Sequence, residues 1–219
     1  MVLIAPSLLA ADFARLGEAL RVIEAAGAPM IHVDVMDGHF VEEITVGPPV
    51  IQSLRKATKL PLDLHLMIEA PERYAADFIE AGGDRISVHA ESATHLHRVL
   101  EQIRKLGAKA GVALNPETPV QVLVDMVGKF DFLSLMSSDP GLTEQHFIPR
   151  SVEKVRAAAF LREETRIDFA IQVEGGIRLE HVGQLDRAGA DILVAGSAIF
   201  YSDDPKARLR EMMRLASKA

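Results

Sequence analysis

Short apolar, β-branched runs alternate along the chain with longer runs of helical period. The strand candidates are residues 2–5, 30–35, 62–66, 85–88, 110–114, 132–135, 170–173 and 192–195. Between them, residues 13–26 and 72–81 read as helices, with Asp12 placed to cap the first and Pro71 in the first turn of the second. Helices run out at Gly27, Gly82-Gly83, Gly107 and Gly189, each a few residues before a strand. Glycine suits these joints because it reaches the left-handed conformation that closes a helix C-terminus. Eight units in 219 residues give about 27 residues each, near the minimum for a strand, a helix and two loops. Strand–helix–strand at constant period means parallel strands with right-handed crossovers. The pattern predicts an α/β protein, a single (β/α)8 TIM barrel formed by residues 1–219 as one domain. An open doubly wound sheet usually carries a Gly-rich nucleotide loop after its first strand. Here that strand runs into Pro6-Ser7-Leu8-Leu9, and the chain contains no G-x-G-x-x-G.

In such a barrel, chemistry belongs at the C-terminal ends of the strands. Polar residues gather there: Ser7, His32, Asp34, Asp37, His65, His89, Asn115, Glu174 and Ser197. His32 and Asp34 occupy alternate positions inside an apolar run, so both project to one face while Ile31, Val33 and Val35 face the helices. Polar groups turned into a lumen are costly unless paired or bound to something. His65, in Asp63-Leu64-His65-Leu66-Met67, makes the same argument on the next strand. Two His with carboxylates on rigid strands form the ligand set of one divalent ion, Zn²⁺, Mn²⁺, Fe²⁺ or Co²⁺. His95 and His97 read as solvated, and His39, His146 and His181 carry no role. Met36, Met67 and Met136 each follow a strand candidate. Singly each reads as core filler; together they could form a polarisable wall over a reacting centre. The loops Glu174-Gly175-Gly176 and Ala195-Gly196-Ser197 offer backbone N–H groups after the last two strands, the place where barrels hold phosphate.

Composition narrows the field. Hydrophobic residues make up 48% and charged residues 25%, as in ordinary globular domains. A net charge of −7, 5% aromatics and no Trp argue against a nucleic-acid partner. No 18-residue apolar run is present, so a membrane partner is not expected. The first residues lack a basic, signal-like region. The absence of Cys excludes disulfides and thiolate chemistry and is compatible with a reducing, cytoplasmic setting.

Five segments together resemble the ribulose-phosphate 3-epimerase family over nearly the whole chain. They are Ile4-Ala5-Pro6-Ser7-Leu8-Leu9-Ala10-Ala11-Asp12-Phe13, His32-Val33-Asp34-Val35-Met36-Asp37-Gly38-His39-Phe40, Leu64-His65-Leu66-Met67, Gly111-Val112-Ala113-Leu114-Asn115-Pro116 and Val194-Ala195-Gly196-Ser197-Ala198-Ile199-Phe200. The resemblance implies metal-assisted 1,1-proton transfer at carbon 3 of a ketose phosphate. One carboxylate removes the proton, a second returns one to the opposite face, and the metal steadies the enediolate between them. Carried over by residue, Asp34 and Glu174 are the acid/base pair, and His32, Asp34, His65 and Glu174 the metal ligands. Ser7 and His65 contact the substrate. Met36, Met67 and Met136 line it, and Gly141, Gly175, Gly176, Gly196 and Ser197 hold its phosphate end. The resemblance also implies a homo-oligomer acting on a small sugar phosphate.

The chain departs from the family pattern at four places on the same face. Glu174 stands where the family has Asp in Val-Asp-Gly-Gly, carrying its carboxylate about one bond length further out, and a misplacement near 1 Å can cost on the order of 100-fold in rate. Pro140-Gly141-Leu142-Thr143-Glu144-Gln145 replaces Pro-Gly-Phe-Gly-Gly-Gln; Glu144 is expected to point outward, or the ligand differs. Val41-Glu42-Glu43-Ile44 replaces Val-Pro-Asn-Ile, and His89-Ala90-Glu91 replaces His-Pro-Glu. The leading expectation is interconversion of D-ribulose 5-phosphate and D-xylulose 5-phosphate. The alternatives are another ketose phosphate or acid sugar, and an inactive sugar-phosphate or metal binder.

Overall fold

Alternation decides how each strand is used. In β2 (Ile31–Met36), Ile31, Val33 and Val35 join the large apolar core beneath the helices, which leaves His32 and Asp34 on the lumen side. Leu64 and Leu66 of β3 (Leu62–Met67) and Leu133 and Leu135 of β6 (Phe132–Met136) do the same, all fully buried. Each such side chain contributes roughly 1.5–3 kcal/mol when withdrawn from water. The apolar group in the lumen is small (Ala5, Met30, Ile192 and Val194). Polar residues fill much of the remaining interior.

The computed structural model describes residues 2–142 and 145–216; Thr143 and Glu144 lie outside the described residues. The other strands are β1 (Leu3–Pro6), β4 (Arg85–His89), β5 (Lys109–Leu114), β7 (Ala170–Glu174) and β8 (Ile192–Ala195). All eight are parallel, in the order β1-β8-β7-β6-β5-β4-β3-β2. The two end strands meet through a parallel bridge between Ser7 and His32, which closes the barrel at a narrow seam.

The helices are α1 (Leu16–Ala26), α2 (Pro48–Ala57), α3 (Ala75–Glu80), α4 (Leu96–Lys105), α5 (Ser151–Thr165), α6 (Leu179–Ala188), α7 (Ser197–Phe200) and α8 (Pro205–Ala216). Asp12 caps as expected, but it caps a 3-10 turn, Phe13–Arg15, that leads into α1; its side chain accepts the Ala14 N–H at 2.9 Å. Gly27 and Gly189 close α1 and α6 with φ of 94° and 106°. The link between β5 and β6 departs from the repeating pattern: it is a 3-10 run, Val120–Met126, with no α-helix. Pro119 precedes it, and Val120, Val122 and Val124 are β-branched, which disfavours a longer helix.

The strands also end later than the apolar runs suggest. Six of the eight, β1, β2, β3, β4, β6 and β7, extend one residue further, to Pro6, Met36, Met67, His89, Met136 and Glu174. His89 and Glu174 interrupt the hydrophobic run while their backbones remain paired, whereas Met36, Met67 and Met136 continue it as buried side chains.

Candidate active site

Four lumen-facing side chains meet where β2, β3 and β7 end. His32 Nε2 lies 2.9 Å from Glu174 Oε2 and 3.4 Å from Asp34 Oδ1. His65 Nδ1 lies 3.3 Å from Glu174 Oε1 and 3.5 Å from Asp34 Oδ1. One ligand atom from each residue falls within 4.8 Å of all the others. His32 Nε2, His65 Nδ1 and Glu174 Oε2 are buried without a hydrogen-bond partner among the described residues. Three orphaned buried polar atoms aimed at one point are expensive. A divalent cation at that point satisfies all three, and two imidazole nitrogens with two carboxylates suit a borderline-soft metal. The residues present therefore fit a metal ion.

The supporting contacts set the tautomers. His32 Nδ1 lies 2.8 Å from Asp63 Oδ2, and Asp63 Oδ1 accepts Arg85 Nε–H at 2.9 Å. An Nδ1–H donated to Asp63 leaves the lone pair of His32 on Nε2, toward the cluster. The Arg85 guanidinium also lies 3.9 Å from the Phe132 ring centroid and donates to Gln172 at 3.2 Å. Phe132 in turn fills the space over Gly111, where an added Cβ would stand 2.3 Å from the ring. On the other side, His65 Nε2 and His89 Nε2 are 2.8 Å apart, and His89 Nδ1 is 3.3 Å from Glu91 Oε2. His89 donating to Glu91 makes its Nε2 the acceptor of the His65 Nε2–H, again leaving the His65 lone pair on Nδ1, toward the cluster. Burial holds His89 below its ordinary pKa, and the nearby His65 adds to this.

Each carboxylate is also held by a serine. Ser7 Oγ donates to Asp34 Oδ2 at 2.6 Å, and Ser134 Oγ donates to Glu174 Oε1. Burial opposes charge on all four central groups, but their mutual attraction overrides it. Without a metal, His32 and His65 are raised, His65 to about 9, whereas Asp34 and Glu174 are held low; a bound cation would take the place of the protons on His32 Nε2 and His65 Nδ1.

Above the cluster opens a cavity of about 280 Å³. Ser7, Asp34, Met36, Met136, Gly141, Glu174, Gly175, Gly176, Gly196 and Ser197 all line it. His32, His65 and Met67 do not; they are fully or almost fully buried, and Met67 packs with Met36 and Val41. No Lys or Arg is among the lining residues, and Glu43 is. Gly175 and Gly176 adopt φ of 108° and 65°. A Cβ on Gly176 would stand 2.6 Å from the Phe147 amide, so only glycine fits. The Gly176 N–H is met by Gln145 Oε1 at 3.3 Å. Gly196 opens α7, which is a single turn. His95 and His97 are exposed, and His181 accepts the Arg178 N–H at the start of α6. Asp63, Arg85 and Ser134 escaped the reading of the sequence. Asp63 had a legible signal, since it sits two residues before His65 on the same strand face.

No helix among the described residues is long and apolar enough to cross a membrane. The barrel resembles solved structures that share little sequence with it. Thiamine phosphate pyrophosphorylase from Pyrococcus furiosus superposes with a TM-score of 0.69 at 14% identity, covering 99% of this chain and 96% of that one. A mutant tryptophan synthase alpha-subunit from Pyrococcus furiosus gives 0.70 at 17%, covering 97% of both. At that distance the likeness shows the fold alone. Sequence relatives are far nearer. The chain is 46% identical over 213 residues to ribulose-phosphate 3-epimerase of Bacillus subtilis (strain 168), covering 97% of this chain and 98% of the relative. It is 44% identical over 211 residues to ribulose-phosphate 3-epimerase of Escherichia coli (strain K12), covering 96% and 94%. To the chloroplastic ribulose-5-phosphate-3-epimerase of Arabidopsis thaliana it is 46% identical over 205 residues, covering 93% and 73%. With residues 3–200 matching the family as a whole, the chain belongs to the ribulose-phosphate 3-epimerase family.

Proposed function

We propose that the chain is a metal-dependent ketose-phosphate 3-epimerase that interconverts D-ribulose 5-phosphate and D-xylulose 5-phosphate. The observation that carries this reading is the meeting of Asp34 and Glu174, from β2 and β7, at the floor of the cavity within one metal-competent cluster. Inverting C3 requires a base on one face of the substrate and an acid on the other. One of the two carboxylates takes the C3 proton and the other returns one to the opposite face; both are ionised in the empty cluster, so the acid partner gains its proton from solvent as the substrate enters, and the reverse reaction exchanges the roles. A divalent ion held by His32, Asp34, His65 and Glu174 supplies Lewis-acid stabilisation of the negative charge that develops on the ketose oxygens. Ser7 and Ser134 each occupy one carboxylate oxygen, so the other is left for proton transfer or ligation. Met36 and Met136 present an apolar wall that limits water at the reacting carbon. The glycine loops at Gly175-Gly176 and Gly196-Ser197, with Gly141 opposite, take the phosphate through backbone N–H groups. Gln145 yields the Gly176 N–H when the phosphate arrives. The donor set admits Zn²⁺, Mn²⁺, Fe²⁺ or Co²⁺. A homo-oligomer, which the family resemblance implies, and a cytoplasmic setting, with which the absence of Cys is compatible, belong to the same reading, and light scattering of the purified protein checks the assembly.

The test follows solvent deuterium entering C3 by NMR, with metal-loaded protein and D-ribulose 5-phosphate, beside the Glu174→Asp variant. Exchange with appearance of D-xylulose 5-phosphate in the native protein supports the reading. Silence in both proteins overturns the ribulose assignment and directs attention to another ketose phosphate.

A further inference from the structure

We infer that Ser134 is a positioning residue for Glu174, matching the barrel interior to a glutamate at this site. The inference rests on the epimerase reading for its kinetic consequence but not for its effect on metal binding.

Ser134 lies on β6 with its side chain on the lumen face, between Phe132 below and Met136 above, and is fully buried. Its register partner on β7 is Gln172, two residues before Glu174. The hydroxyl therefore stands one step deeper in the barrel than the Glu174 backbone, and Glu174 Oε1 accepts from it. Two features make this more than incidental packing. A serine costs little volume, and the space above it takes the glutamate chain bending down into the lumen. The hydroxyl also spends its one proton on Oε1, so Oε2 is the oxygen left orphaned beside His32 Nε2. A glutamate has one more rotatable bond than an aspartate, and that freedom works against holding a ligand in place. Ser134 removes it. The arrangement parallels Ser7 and Asp34 at the end of β1, so each carboxylate of the pair is fixed by one serine from another strand.

The prediction is one of coupling. An aspartate at position 174 is shorter by one methylene, roughly 1.5 Å, and its oxygens withdraw from the reach of Ser134. The experiment uses four proteins: wild type, Ser134→Ala, Glu174→Asp, and the double variant. Metal-free samples are titrated with Co²⁺ against a competing chelator, and the visible spectrum of the bound ion is recorded. Steady-state kcat and KM for D-ribulose 5-phosphate follow on the loaded proteins, with thermal melts to verify folding.

Expected are a roughly 10-fold weaker Co²⁺ dissociation constant in Ser134→Ala, an altered Co²⁺ spectrum, and a drop in kcat with KM within twofold. In the Glu174→Asp background the same change has less than a twofold effect on Co²⁺ binding. Equal effects in both backgrounds would assign Ser134 to general packing and overturn the inference. So would an unchanged Co²⁺ affinity and spectrum in Ser134→Ala. If wild type binds Co²⁺ but turns over no ribulose phosphate, the epimerase reading fails while the binding cycle still decides the role of Ser134.

Discussion

Replacing Asp63 with asparagine tests the structure most sharply, because one carboxylate there serves two donors. Its two oxygens accept from His32 Nδ1 at 2.8 Å and from Arg85 Nε at 2.9 Å. An amide offers one oxygen and sets its NH₂ against the other donor. If the oxygen turns to Arg85, the NH₂ faces His32 Nδ1, which must then give up its proton. The imidazole carries that proton on Nε2 instead, aimed at the point where Asp34 and Glu174 converge. If the oxygen turns to His32, the NH₂ faces the Arg85 Nε–H, which loses its acceptor; in either orientation a guanidinium with only 14% of its side chain exposed loses its anion. Loss of an outer partner of a ligand costs about 10- to 100-fold in metal affinity, about 1.4–2.7 kcal/mol. Leaving one member of a buried pair alone costs about 3 kcal/mol, the low end of the measured range. At roughly 2–4 °C per kcal/mol for a chain of this size, Tm falls by about 6–12 °C. Isothermal titration with Zn²⁺ under chelator competition measures the first effect, and calorimetric melts of metal-free protein measure the second. Arg85→Met is the control, since it keeps the contact between Asp63 and His32 and is expected to lower Tm with a much smaller change in Zn²⁺ binding. A folded Asp63→Asn protein that binds Zn²⁺ within twofold of wild type would refute the reasoning.

Three further outcomes are expected. Burial pushes the Lys154 ammonium down to about 8, so ¹³C-methyl NMR of the reductively methylated protein should show one lysine titrating near that pH, absent in Lys154→Arg; titration of all lysines near their usual value would oppose this. Burial favours neutral Glu91, but hydrogen bonds from His89, Thr118 and the Asn115 N–H hold its carboxyl down at about 2. A depressed carboxyl adds stability above its unfolded pKa near 4.5, and that stability fades as pH falls toward 2. Glu91→Gln should therefore flatten the acid side of a plot of Tm against pH, and an unchanged slope would count against it. Gly111→Ala places a methyl within 2.3 Å of the Phe132 ring, which Arg85 covers on one face. It should cost about 1–3 kcal/mol by urea denaturation, and a neutral result would mean the ring has room to move.

The barrel was legible because the apolar runs and the glycine joints repeat. The metal cluster was legible because His32, Asp34 and His65 interrupt those runs with period two. What escaped has identifiable causes. The β5–β6 link carries an apolar pattern that suits an α-helix or a 3-10 run equally, and Pro119 with the β-branched Val120, Val122 and Val124 weighs against the longer helix. The strand ends at His89 and Glu174 lie beyond the apolar runs because backbone pairing does not require an apolar side chain. Ser134 sits among apolar residues 102 positions after His32, and nothing in the local pattern marks a hydroxyl there as the partner of a carboxylate 40 positions later. Arg85 reads as a strand-end charge facing water. Only the closed barrel reveals that it turns inward to Asp63 and Phe132.

The narrow closure between β1 and β2 bears on how the molecule comes apart. Elsewhere around the ring, neighbouring strands are laced by ladders of three to six paired residues. Here the fastening is the single bridge from Ser7 to His32, reinforced by the hydroxyl of Ser7 on Asp34. Every residue in that clasp lines the floor of the cavity or belongs to the His/carboxylate cluster beneath it. Whatever settles on the floor thus also buttons the barrel shut. Amide exchange along residues 3–7 should slow when the metal and substrate are bound, and a protease acting on the empty protein should find its first foothold at this join.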